Sequence, residues 1–176
     1  MFQSEKQKKL SKVVFGIYAV LLAWLILFKL ELNIFQCFNF RREINLIPYS
    51  YIAKAGSNVQ IKETVYNILI FVPLGTYVAF FKKEWNVFKK IGLIAGISLA
   101  FEILQFIFGL GGSDITDIIN NTLGGVIGLL FAGFLNLVFK KKSVKIVNAV
   151  GLTIEVLAIG LYSYITIWNM IYTLNY

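Results

Sequence analysis

The sequence predicts an all-α fold, a polytopic integral membrane bundle of about five transmembrane helices with its N-terminus in the cytoplasm and its C-terminus outside. Three observations carry this. Of 176 residues, 58% are hydrophobic and only 15% are charged, with a mean hydropathy of +0.74, too apolar for a water-soluble domain of this size. Five apolar runs are long enough to cross a hydrocarbon core of about 30 Å, which takes roughly 17 to 25 residues of helix. Finally, the lysines gather in alternate connecting segments.

The first element is a basic segment, residues 1–12, with Lys6, Lys8, Lys9 and Lys12 ahead of an apolar run over 13–30. This resembles a signal peptide, but no small-x-small cleavage site follows Leu30, so the run is expected to stay as the first span. Lys29 snorkels at its end. Residues 31–63 form an outer loop that lies at the interface or re-enters the protein, because Asn45-Leu46-Ile47-Pro48-Tyr49 mixes apolar, aromatic and proline residues without a helical period. Cys37 is the single cysteine; it has no partner for a disulfide and no small residues ahead of it for lipidation.

The second span covers 64–81, with Pro73 and Gly75 inside it, where a lost hydrogen bond predicts a kink. The third covers 91–108, the fourth 118–139 and the fifth 147–171. Gly124 and Gly128 in the fourth set a G-x-x-x-G spacing for close helix packing. Tyr162, Tyr164, Trp168 and Tyr172 in the fifth form an interfacial belt, and Glu155 is assigned no functional role. Orientation follows from charge: Lys82, Lys83, Lys89 and Lys90 join spans two and three, and Lys140, Lys141, Lys142 and Lys145 join spans four and five. With the N-terminal four they define the cytoplasmic side, whereas Arg41, Arg42, Lys54 and Lys62 share the long outer loop. The net charge of +8 is therefore a topology signal, and no nucleic-acid partner is expected.

The chain has no histidine, which excludes histidine-dependent zinc sites, Ser-His-Asp hydrolases and histidine-nucleophile phosphatases. The polar residues inside the spans are more informative. Glu102 lies within the third span, where a carboxylate is costly and marks either a helix-bonding cluster or a functional group. Ser98 and Gln105 share its helical stripe. Asp114 and Asp117 open the fourth span, where Asp114 or Ser113 suits an N-cap and Asp117 the first turn; Asn121 and Gly128 continue that face inward. Asn67 sits one turn into the second span, on the face of Glu63. Alternating helix directions place all of these, with Asn45, near the outer surface. The ligand-binding candidates are thus Glu102, Gln105, Asp114, Asp117, Asn121, Asn67, Asn45 and Ser98. No catalytic residue can be named. No cofactor is required; Glu102, Asp114 and Asp117 are the residues that would hold a metal, and oxygen donors would select Mg²⁺ or Ca²⁺. A cationic or hydroxyl-rich head group is the alternative occupant.

In order and spacing the chain resembles VanZ-like membrane proteins over residues 45–130. The resemblance rests on Asn45-Leu46-Ile47-Pro48-Tyr49, Asn67-Ile68 leading into Phe71-Val72-Pro73-Leu74-Gly75, Ser98 with Glu102 and Gln105, and Asp114-Ile115-Thr116-Asp117 followed by Asn121-Thr122-Leu123-Gly124-Gly125 and Gly128. The family pattern usually has an arginine three residues before the first aspartate; here Gly111 stands there, leaving Arg41 or Arg42 to supply a basic partner. The resemblance implies a multi-pass protein of the Gram-positive cell membrane, linked to resistance against teicoplanin-type lipoglycopeptides. Three activities fit: binding a membrane lipid, a wall precursor or the lipoglycopeptide itself; enzymatic action on a lipid-linked envelope intermediate through Glu102, Asp114 and Asp117; and a small proton- or cation-coupled transporter using Glu102, for which an oligomer could form the path. Binding is favoured over catalysis, since no nucleophile motif is present.

Overall fold

The computed structural model describes residues 5–28, 42–50 and 58–175. The expectations for Lys29, Cys37, Arg41 and Lys54 concern residues outside these segments, as does part of the long outer loop. The described chain is α1 (Glu5–Phe28), β1 (Ile44–Asn45), α2 (Asn58–Phe81), α3 (Val87–Phe108), β2 (Ser113–Asp114), α4 (Ile115–Phe139), a 3₁₀ turn (Lys140–Lys142) and α5 (Ser143–Asn175). The helices start several residues before the apolar runs do, because hydropathy marks the hydrocarbon whereas a cap marks the helix. Asn86 caps α3 by accepting from the Lys89 N–H at 2.8 Å, and Asp114 caps α4 by accepting from the Thr116 N–H at 2.7 Å. Gly109 closes α3 in the left-handed conformation, with Leu110 N–H reaching back to the Gln105 carbonyl at 2.9 Å.

The distribution of polarity is inverted relative to a water-soluble bundle. On α3 the buried residues are Ile94, Ser98, Glu102 and Gln105, and on α4 they include Thr116, Asn120, Asn121 and three glycines. Leucines and aromatics such as Leu130, Phe134, Leu137, Leu157, Leu161 and Trp168 face outward instead. Polar interiors with apolar exteriors are what a lipid solvent selects. Among the described residues four stretches are long and apolar enough to cross a membrane: Glu5–Phe28, Ile61–Phe81, Val87–Phe108 and a 58-residue stretch, Ile115–Tyr172.

That last stretch doubles back at Lys140, which has φ 46° and ψ −116°. Just beyond the turn the Ser143 hydroxyl donates to Asn136 Oδ1 at 2.6 Å, and Val144 packs with Ala132 and Phe80. α5 therefore returns along α4. It then follows α1 in the same direction, pairing Asn148 with Ser11, Gly151 with Val14 and Tyr162 with Trp24.

α2 and α4 also run parallel, and glycines bring their backbones together. A Cβ on Gly75 would collide with the Gly125 carbonyl, one on Gly124 with the Ile68 carbonyl, and one on Gly128 with the Val72 carbonyl. The G-x-x-x-G spacing thus serves close packing. Thr76 fastens the same seam by donating to the Gly128 carbonyl at 3.2 Å. Near Pro73, which cannot donate to its own helix, the Tyr18 hydroxyl of α1 donates to the Ile70 carbonyl at 2.6 Å. The apolar core lies where α1, α2 and α3 meet, around Leu22, Phe71, Leu74, Val78 and Ile94.

These pairings define two ends. Lys8, Lys9 and Lys12 near the start of α1, Lys82, Lys83, Lys89 and Lys90 around the α2–α3 turn, and the lysines at the α4–α5 turn occupy one end together. At the other lie segment 42–50, the end of α3 and the start of α4, joined by a short parallel pairing of β1 with β2.

Candidate functional site

The polar residues singled out in the sequence converge at the end opposite the lysines. Glu102 is the pivot, only 3% exposed on the buried face of α3. Its Oε2 accepts the Asp114 N–H at 2.9 Å, and its backbone carbonyl accepts the Ser113 hydroxyl at 2.8 Å. A buried carboxylate on one helix thus fixes the cap of the next, where a negative charge is favoured by the N-terminal dipole. Asp114 then serves two partners: Oδ1 caps α4, and Oδ2 accepts from Asn45 Nδ2 at 3.0 Å. Asn45 holds its own loop through Ser50 and the Ile47 N–H.

Tyr49 completes the clamp. Its backbone is left-handed at φ 56°, a conformation that costs a non-glycine residue about 1 kcal/mol or more. Two bonds to α4 hold it there: its N–H donates to Thr116 Oγ1 at 3.0 Å, and its hydroxyl to Asn120 Oδ1 at 3.0 Å. Asn67 on α2 donates to Asp117 Oδ1 at 2.7 Å. One turn deeper, Asn121 Nδ2 donates to the Ser98 hydroxyl at 2.9 Å, between α4 and α3. Asn121 Oδ1 is buried with no partner among the described residues, so the cluster retains an unused acceptor at its inner edge.

Gln105 belongs elsewhere. Its Nε2 donates to the Ile26 carbonyl at 3.0 Å, one of the last-turn carbonyls of α1 that lack an intrahelical donor. It fastens α1 to α3, although it shares the stripe of Glu102. Arg42 does the same for α3, donating to the Ile107 carbonyl at 3.3 Å. Among the described residues no group of three or more His, Cys, Asp or Glu is placed to hold a metal ion; Asp114 spends both oxygens on N–H donors. A cavity lined by Ala79, Val87, Lys90, Val126, Leu129 and Leu130 lies toward the lysine-bearing end, away from these groups.

The family described as VanZ/LLP1 matches residues 15–140 of the chain, a segment that contains every residue of this cluster. The chain belongs to the VanZ/LLP1 family. It is 39% identical over 152 residues to Protein VanZ of Enterococcus faecium, covering 85% of this chain and 91% of that protein. No solved structure matches it.

Within this VanZ/LLP1 chain, the glycine at position 111 suits the local backbone. Gly111 has φ 154°, a conformation that L side chains rarely adopt, and open space where a side chain would project. The turn between α3 and α4 is thus formed without the arginine. Sequence reasoning passed over Asn120, Thr116 and Ser50 as site residues. Thr116 and Asn120 are four apart on the first turns of α4, so helical spacing from the cap could have found them; Ser50 carried no comparable signal.

Proposed function

We propose that the Glu102 cluster binds the polar part of an amphiphilic envelope molecule, a membrane lipid, a wall precursor or the lipoglycopeptide itself, and so limits teicoplanin-type drugs at the cell membrane. The observation that supports this best is convergence. Asn45, Asn67, Glu102, Asp114 and Asn121 come from a loop and three helices, yet meet at one end of the bundle, where a strained Tyr49 is held and the Asn121 Oδ1 acceptor is left over. Strain and an unused buried acceptor, found together where these groups converge, are features that a ligand-binding cluster keeps.

In this reading the chain crosses the membrane five times, because α4 and α5 count separately. The twelve lysines of the opposite end face the cytoplasm, which puts the N-terminus inside, the C-terminus outside and the cluster at the outer surface. The relative named Protein VanZ supports the resistance role. Binding without turnover is the expected mode.

The test is drug susceptibility in a Gram-positive host expressing wild type, Glu102→Ala or Asp117→Ala at equal membrane levels. A teicoplanin threshold raised by wild type alone, with vancomycin less affected, is the expected result. Protection by Glu102→Ala equal to wild type would overturn the proposal.

A further inference from the structure

A second polar cluster lies toward the lysine-bearing end, on the faces where α1, α2 and α5 meet. Its backbone is a stripe on α5 made of Val144, Asn148, Gly151 and Glu155, spaced at helical intervals. Asn148 Nδ2 donates to the Ser11 hydroxyl at 2.8 Å, and Ser11 donates to the Gln7 carbonyl at 3.0 Å. The Tyr77 hydroxyl of α2 donates to Asn148 Oδ1 at 3.2 Å. Gly151 makes room for that hydroxyl, since a Cβ there would stand 3.3 Å from it. Glu155 follows one turn deeper.

Ser11, Tyr77, Asn148 and Glu155 are each 5% exposed or less. The three bonds of the file run toward the lysine-bearing end: Tyr77 to Asn148, Asn148 to Ser11, Ser11 to Gln7. Glu155 Oε2 is buried with no partner among the described residues. Glu155 is twelve residues past Ser143, about 18 Å along the helix, near the middle of a hydrocarbon core of about 30 Å.

We propose that Glu155 is a proton-binding site at mid-membrane depth, one helical turn beyond the file formed by Tyr77, Asn148 and Ser11. An ionised carboxylate with an unpartnered oxygen is costly there. A proton taken up from water forms an O–H bond on Glu155 and leaves the carboxyl neutral; its release restores the carboxylate. Tyr77 is suited to assist, because its own hydrogen is committed to Asn148 and its lone pairs remain available to accept. The titratable groups on the elements packed around the site include Tyr18, Lys8 and Lys12 on α1, Tyr77 on α2, Lys145 and Tyr162 on α5 and the lysines of the 140–142 turn. The assignment stands independently of what the Glu102 cluster binds.

Dicyclohexylcarbodiimide reacts with protonated carboxyls in apolar surroundings, and peptide mass mapping locates the adduct. With the full chain in lipid nanodiscs, Glu155 should be labelled, the rate falling about tenfold per pH unit above its midpoint. Tyr77→Phe should move that midpoint without altering the pH profile of any label at Glu102, and Glu155→Gln should lose the Glu155 adduct. Monodisperse protein whose Glu155 stays unlabelled at every pH, or labels independently of pH, would overturn the proposal. Suppression of labelling by Na⁺ at fixed pH would overturn it too, in favour of a sodium site.

Discussion

Glu102 and Glu155 are both carboxylates buried in membrane-spanning helices, but their surroundings differ. Glu102 accepts the N–H that opens α4, and its neighbours tie a loop and three helices together. Glu155 lies one turn beyond the file of Tyr77, Asn148 and Ser11 with no hydrogen bond to it, and keeps a buried oxygen unmatched. The first cluster falls wholly within the family-matched segment 15–140, whereas Ser11, Asn148 and Glu155 fall outside it. The difference teaches that a buried acid can organise a fold when backbone donors meet it, and is available for exchange when they do not.

Four perturbations test that contrast, beginning with the largest. α2 carries a residue of each cluster, Asn67 and Tyr77, so forcing it away from α4 should damage both. Gly128→Leu places a side chain against the Val72 carbonyl and should abolish monodisperse protein, as seen by size-exclusion chromatography of detergent extracts; normal yield would break the idea that one seam supports both clusters. Next, Glu102→Ala leaves the Asp114 N–H without its acceptor, at about 1–3 kcal/mol, while Glu102→Gln, which keeps an oxygen, should lose less; thermal melting in detergent compares them. Third, Asn148→Ala removes two polar pairs and should cost about 1 kcal/mol, at an average of about 0.6 kcal/mol per pair in membranes, and Asn67→Ala should cost more, since its partner is a carboxylate. Equal losses would erase the energetic difference between the clusters. Smallest of all, Lys140→Gly should raise stability by up to about 1 kcal/mol, because a glycine adopts φ 46° without strain, and should leave teicoplanin susceptibility unchanged.

The Glu102 cluster was legible because its chemistry is local and periodic. Asp114, Asp117 and Asn121 announce a capped helix start, and Glu102 is conspicuous in an apolar run. Sequence periodicity could not show that Gln105 turns to α1, since its stripe borders two helices and the acceptor, Ile26, is 79 residues away. Glu155 was visible but unplaceable. Its neighbours Tyr77 and Ser11 come from other helices, and no spacing rule links residues so distant. The reversal at Lys140 was foreshadowed by the lysine run, which parts the fourth and fifth apolar runs although helical structure continues from Ile115 to Tyr172.

The pairing of α1 with α5 has a consequence for how the protein is made. Ser11 and Asn148 are 137 residues apart, so α1 finds this lateral neighbour only when α5 has been synthesised. Contacts of such long range close slowly, and N-terminal segments emerge first during synthesis. Between those events α1 must be sheltered by lipid and by its contacts with α2 and α3, with Ser11 waiting near the membrane surface. Docking of α5 then acts as the latch on a bundle already assembled, and a nascent chain stalled before Asn148 would present that open flank to whatever assists membrane insertion.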